Sequence, residues 1–239
     1  MKPSHMLQSR FNKFKAQYQS QYEPEAWQYI EEHFFEDIHS DEAPDILLQV
    51  YEELGLFPSG GMFYHKHLKL LKKLFPIDGN IVEVGSGRIP AFANLLASEQ
   101  GKIGKGTITL YEPLLVQLEP KYSNMTFHKE FFDEDTDISK ADLVVGIMPC
   151  DATESILANA IKHNIDFYVA MCGCVHSPLS SMSMFGYGTS PEIYQHEVIE
   201  NAHALIKEYA SYHMEVTQLK NTPLNYPILY SRRENSLHR

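Results

Sequence analysis

The chain of 239 residues is poor in cysteine: the three it has, at 150, 172 and 174, are too few and too clustered to staple a secreted disulfide scaffold. A reducing, cytoplasmic compartment is the expectation. Residues 1–22 lack the apolar core of a signal peptide. Phe167 to Pro191 carries no Asp, Glu, Lys or Arg, yet its glycines, prolines and serines rule out a lipid-spanning helix. No repeat or low-complexity tract is present, and 44% apolar with 21% charged residues excludes collagen-like, coiled-coil and wholly disordered classes. Basic residues are missing from Glu23 to Glu53, where eleven acids fall. The whole net charge of −11 therefore sits in that segment, and the other 20 acids balance the 20 bases. Residues 1–22 reverse the pattern, with Lys2, Arg10, Lys13 and Lys15 and no acid. A wholly acidic surface would repel nucleic acid, but a locally acidic one with a basic tip does not decide the partner.

The first sixty residues read as helices. Phe11, Phe14 and Tyr18 recur at helical spacing, as do Trp27, Ile30 and Phe34, then Ile46, Val50 and Leu54. Pro24 and Pro44 suit first helical turns, and Pro58-Ser59-Gly60-Gly61 ends the section. A short basic helix follows, from about Lys66 to Leu74. From residue 81 strands alternate with helices. Strands are expected at 81–84, 107–111, 125–128, 142–147 and 167–171, with helices at 90–98, 153–163 and 191–209. Two further strands, 212–219 and 227–231, have no helix between them and are joined through Asn221-Thr222-Pro223-Leu224-Asn225. The alternation predicts an α/β protein with a doubly wound, mostly parallel seven-stranded sheet, and the last pair predicts an antiparallel hairpin at one edge. The division expected is an N-terminal helical extension or cap, 1–65, and a sheet domain, 66–239.

The segment Glu83-Val84-Gly85-Ser86-Gly87-Arg88-Ile89-Pro90 carries the most chemistry. Glycines at 85 and 87 let the backbone turn sharply after a strand and approach a ligand closely. The helix that follows aims its free N–H groups at the same crevice, and Pro90 suits a first helical position. The second strand ends in Glu112, which can accept hydrogen bonds from both ribose hydroxyls of an adenosine. A dinucleotide site wants a glycine at 90 and no charge before the first glycine, where a carboxylate would repel the pyrophosphate. Pro90 and Glu83 stand there instead. A carboxylate beside a glycine turn suits a ligand with an ammonium group and no phosphate, and S-adenosylmethionine is such a ligand.

Glu83-Val84-Gly85-Ser86-Gly87 resembles the first motif of the class I S-adenosylmethionine-dependent methyltransferases, and Tyr111-Glu112-Pro113 resembles the acidic end of their second strand. Ile89 departs from the motif's third glycine. The resemblance covers residues 81 to 231 and implies the Rossmann-like methyltransferase fold with S-adenosyl-L-methionine as cofactor. It implies cofactor-binding roles for Glu83, Gly85, Ser86, Gly87, Glu112, Pro113 and Met148, with Glu130 and Phe131 flanking the adenine.

At the substrate end, Gly146-Ile147-Met148-Pro149-Cys150-Asp151-Ala152-Thr153-Glu154 follows strand four and Cys172-Gly173-Cys174-Val175-His176 follows strand five. The pair is similar to a branch of methyltransferase-like proteins, some of them associated with RNA. A hydroxyl acceptor would need a general base, and Asp151 or His176 is placed for it. Asp151 reads equally as the N-cap of the helix from Thr153, and His176 as a solvated loop histidine. Cys150, Cys172, Cys174 and His176 have a zinc-ligating composition, but buried small hydrophobes are the favoured reading of the cysteines, so no metal is expected. Val175 to Pro191 is long for a connection, and its methionines and aromatics suit a lid over a planar or apolar substrate as well as a self-packed loop.

The expectation is thus a methyltransferase acting on a small-molecule acceptor in preference to RNA. The basic tip and Lys66, Lys69, Lys72 and Lys73 keep RNA open. Glu83 and Pro90 disfavour an NAD(P)-binding oxidoreductase, while a non-catalytic nucleoside-binding protein would keep the same turn and acids. No membrane partner is expected, and the oligomeric state is not specified.

Overall fold

The computed structural model describes residues 63–87, 90–115, 117, 119–172, 191–219 and 226–233, with isolated positions between 9 and 31. Asn12, Lys13, Lys15 and Ala16 are helical, as are Pro24, Gln28 and Glu31. The rest of the expected N-terminal helices, the 58–61 break, residues 173–190 and the 221–225 connection lie outside the described residues.

Four helices and seven strands follow along the described chain: α1 (Phe63–Leu74), β1 (Asn80–Val84), α2 (Ala91–Ile103), β2 (Thr107–Tyr111), β3 (Met125–His128), β4 (Leu143–Ile147), a 3-10 turn (Cys150–Ala152), α3 (Thr153–Lys162), β5 (Asp166–Ala170), α4 (Pro191–Tyr209), β6 (His213–Thr217) and β7 (Ile228–Arg232). The strands form one sheet in the order β3-β2-β1-β4-β5-β7-β6. Pairing is parallel from β3 through β5, and β7 runs antiparallel to both β5 and β6. The expected hairpin is present, and its second strand lies inward, between β5 and β6. The path of the chain across the sheet reverses between β1 and β4, and the crevice outside their carboxyl ends is where open α/β sheets take ligands.

Alternation along the strands divides the core. Ile81, Leu110, Val145, Tyr168 and Tyr230 face α1 and α2, while Val82, Val144, Phe167, Val169 and Leu229 face α3 and α4. All five residues of β4 are buried, as a central strand covered on both faces requires. Burying each large side chain of this kind contributes about 1.5–3 kcal/mol. On α1, Tyr64, His67, Leu68 and Leu71 form the buried stripe, spaced for one helical face.

Two helix boundaries differ from the sequence expectation. The helix expected from Lys66 starts at Phe63. The helix expected to stop at Ser98 runs to Ile103 and ends where Gly104 takes φ 75°, its N–H donating to the Gln100 carbonyl. Gln100 explains the extension: its side chain is buried and donates to the carbonyls of Ile77 (2.8 Å) and Gly79 (3.0 Å), which pins the last turn to the loop entering β1. Pro90 also moves by one place, acting as the N-cap residue, with its carbonyl accepting the Asn94 N–H at 2.9 Å.

Candidate functional site

The glycine turn leaves β1 at the reversal point. Gly85 and Gly87 have φ of 68° and 74°, the left-handed region that a side chain makes costly. Space is a second constraint at Gly85, because a Cβ there would lie 2.8 Å from Cα of Pro149. The turn after β1 and the turn after β4 therefore touch backbone to backbone. On the Pro149 side the path is itself unusual: Met148 and Cys150, which flank Pro149, take φ of 53° and 52°. Such a conformation costs a non-glycine residue about 1–3 kcal/mol, and tight packing around it is what holds it.

Glu112 ties the turn from the other side. Its carboxylate accepts the N–H of Gly87 at 2.9 Å through Oε2 and the N–H of Leu114 at 2.8 Å through Oε1. Only 6% exposed, Glu112 is not a surface acid. Each carboxylate oxygen keeps lone-pair capacity beyond the one N–H it accepts, so hydroxyl donors can still be added. Ser86, also buried, donates to the Gly87 carbonyl at 3.1 Å.

Glu83 is the anomaly of the site. It is 0% exposed, and neither carboxyl oxygen has a hydrogen-bond partner among the described residues. The ordinary partner of a strand-end acid, a nearby lysine, is not there among those residues. Burial, with the like charge of Glu112 adding to it, pushes the Glu83 carboxyl up to about 8. A buried polar group normally finds a partner, because leaving it without one costs about 1–3 kcal/mol. In strand register Glu83 lies beside Val145, and Val145 beside Tyr168, all facing α1 and α2. The Tyr168 hydroxyl meets Nδ1 of His67, on α1, at 2.8 Å. Burial holds His67 down at about 3 and pushes Tyr168 far up, so both are neutral across the physiological range.

The carboxyl ends of β2 and β3 carry apolar surface. Leu114 is 62% exposed and Phe131 80% exposed, and both follow paired strand ends, with Tyr111 opposite His128 in register. Tyr111 stacks on His128, ring centroids 4.6 Å apart, and meets the buried Phe132 edge-on at 5.5 Å. Glu130 is exposed and reaches His128 at 3.2 Å. Pro113 is half-buried between Glu112 and Leu114.

At the β4–α3 junction Asp151 is exposed, and the N-cap role read for it is wrong. The helix N-cap residue is Ala152, without a side-chain cap, and the Thr153 hydroxyl closes the turn by donating to the Cys150 carbonyl at 2.8 Å. Tyr194 of α4 comes to the same place. Burial and then the charge of Glu154 push its hydroxyl well up, while a hydrogen bond with Thr153 opposes them and Asp151 adds a smaller push. Met148 is half-buried at the rim, its N–H donating to the Ala170 carbonyl at 2.7 Å. His176 and Cys174 lie outside the described residues, as does the Val175–Pro191 segment. Cys150 and Cys172 are thiols rather than a disulfide, and no group of three metal-ligating side chains occurs among the described residues.

The turn thus gathers Glu83, Gly85, Ser86, Gly87 and Glu112 at one crevice, with Met148 on its β4 side. Sequence reasoning missed Leu114, the Pro149 contact and the His67–Tyr168 pair. Leu114 had a signal, being apolar and two places after the acid. A contact between residues 64 or 101 positions apart has none.

No family model matches the chain, and no curated protein matches it. Solved structures are similar to it at low identity. The methyltransferase domain of the citrinin polyketide synthase is 13% identical over 81% of this chain, with TM-score 0.47, and this chain spans 57% of its length. A methyltransferase from Pyrococcus furiosus is 13% identical over 71% of this chain and 83% of its own, with TM-score 0.44. A SAM-dependent methyltransferase from Aquifex aeolicus is 10% identical over 71% of this chain and 88% of its own, with TM-score 0.43. All three TM-scores lie under 0.5, so the architecture rests on strand order and register. Five parallel strands ordered β3-β2-β1-β4-β5, closed by an antiparallel β7 tucked inside β6, give this chain a class I methyltransferase-like fold.

Proposed function

We propose that the protein transfers a methyl group from S-adenosyl-L-methionine to a small-molecule acceptor. The observation that carries the proposal is the buried carboxyl of Glu83, without a partner among the described residues, at the foot of a glycine turn that Glu112 already braces. An ammonium group satisfies both needs of Glu83, a hydrogen-bond donor and a compensating charge. A diphosphate meets two carboxylates instead, which disfavours a nicotinamide dinucleotide.

The residues present fit the cofactor. Glu83 would hold the ammonium, Gly85, Ser86 and Gly87 would pass close to the methionine part, and Glu112 would accept the ribose hydroxyls. Pro113, Leu114, Glu130 and Phe131 would flank the base. Met148 would line the cofactor from the β4 side, and the exposed Asp151 would face the acceptor. The cofactor itself supplies a methyl group on a sulfonium leaving group, so the chain's contribution is alignment and exclusion of water. A hydroxyl acceptor calls on Asp151 or His176 as base; an amine, thiolate or ring carbon calls on neither.

The same reading divides the chain into an N-terminal helical extension and a cofactor domain, with the cut expected at 65/66 moved back to the start of α1 at Phe63 because Tyr64 is buried in the core of the sheet domain, and it assigns the protein to a reducing, cytoplasmic setting. Among the described residues no helix is long and apolar enough to cross a membrane. An RNA acceptor is the weaker reading, because Lys72 is paired with Glu99 and Lys15 with Glu31, which removes part of the basic surface that would attract it. Binding of bulk tRNA that falls steeply with salt would restore it.

Calorimetric titration with S-adenosylhomocysteine and with NAD tests the proposal. Binding of the first and not the second is expected. Binding of NAD, or of neither, refutes it.

A further inference from the structure

The deficit at Glu83 has a consequence for how the site selects its ligand. Among the described residues, every element packed near this carboxyl contributes either a group of the same sign or a neutral one. Glu112, at the end of β2, carries a like charge that acts on it. Tyr168 on β5 and His67 on α1 are engaged with each other and neutral. The buried residues of α2 are Ala91, Phe92, Ala93, Asn94, Leu96, Ala97 and Gln100, and β4 offers only Val145 and its apolar neighbours on that face, so neither brings a titratable group. With 0% exposure, bulk solvent does not reach the carboxyl either.

We infer that Glu83 is protonated in the ligand-free protein and releases its proton to solvent as a ligand ammonium enters, so that this one residue makes the site selective for a cationic amino-acid group. The inference rests on the cofactor reading above and deepens it. In the exchange a neutral carboxylic acid and an ammonium ion become a carboxylate–ammonium pair and a free proton. Charge is conserved, and the pair forms only where a cation is present to replace the proton. A ligand that fills the nucleoside part and lacks the ammonium leaves Glu83 neutral.

Two ligands separate these cases. S-adenosylhomocysteine carries the ammonium, and 5′-methylthioadenosine has the same nucleoside and sulfur without it. Titration calorimetry at pH 7, in two buffers of different ionisation enthalpy, counts the protons released. We expect close to one proton per S-adenosylhomocysteine bound and none per 5′-methylthioadenosine. The affinity for S-adenosylhomocysteine should rise about tenfold per pH unit between pH 5.5 and 7 and level off above 8, while that for 5′-methylthioadenosine stays flat. In Glu83→Gln, a neutral isostere of the protonated acid, the pH dependence should vanish. Binding of S-adenosylhomocysteine without proton release overturns the inference and leaves the cofactor reading standing, as does equal release with both ligands. Failure of both ligands to bind overturns the cofactor reading and this inference with it.

Discussion

Replacing Glu83 by Gln should make the ligand-free protein more stable, by an amount that grows with pH. The Glu83 carboxyl is raised from an ordinary 4.5 to about 8, so the unfolded chain loses this proton near 4.5 while the folded protein keeps it until 8. Its contribution to stability is fully present below 4.5 and is lost as pH rises through 8. His67 works in the opposite sense. Burial lowers it from 6.5 to about 3, so its contribution is present above 6.5 and is lost as pH falls toward 3. Between pH 4.5 and 6.5 the two slopes oppose each other. Between 6.5 and 8 only Glu83 remains, and the wild type should lose about 2 kcal/mol at about 1.4 kcal/mol per pKa unit. The Gln variant lacks that descent, and it should instead gain stability up to pH 6.5 through His67 and then level off. Urea titrations of both proteins at pH 5, 6.5 and 8 measure the difference, in which carboxylates common to both, such as Glu154, cancel. Parallel profiles across that range would refute the reading of Glu83 as a buried acid that keeps its proton to about pH 8.

Other perturbations address the remaining parts. Gly85→Ala should cost about 3 kcal/mol, since a left-handed φ and a Cβ against the Pro149 backbone both oppose it; an unchanged unfolding midpoint would show that the two turns do not touch. Glu112→Ala should weaken S-adenosylhomocysteine binding about tenfold or more and also lower stability, because the Gly87 and Leu114 N–H groups lose a charged acceptor. Calorimetry and denaturation of the same sample check both effects. Phe131→Ala removes an 80% exposed ring, so stability should stay within about 0.5 kcal/mol while nucleoside affinity falls; equal affinity in a filter-binding assay would remove Phe131 from the site. Tyr168→Phe deletes the hydroxyl that meets His67 and should cost about 1 kcal/mol in denaturant, and no loss would mean that the pair contributes nothing to stability.

Much of the fold was legible because its signals are local. The strands from β1 to β5 fall within one residue of the ranges read from their β-branched and apolar runs, and α4 from Pro191 to Tyr209 matches the range read for it. The end of α2 was not legible, because Gln100 extends the helix through carbonyls about twenty residues away, a contact with no periodicity. The N-cap alternative for Asp151 fails for the same reason. An acid before a helix looks like a cap, but the 3-10 turn places the Cys150 carbonyl under the Thr153 hydroxyl and leaves the acid on the surface.

The residue order by itself determined the strand–helix alternation and the Gly-x-Gly turn between two acids, since backbone conformation and side-chain patterning act over a few neighbours. Only the tertiary structure decided what those acids are. Glu112 became a brace because β2 lies beside β1 and brings it under the Gly87 N–H. Glu83 became a buried carboxyl without a partner among the described residues because α1 and α2 cover its face of the sheet. Solvent exclusion and like-charge proximity depend on which surfaces meet in space, and neither is written in the spacing of residues along the chain.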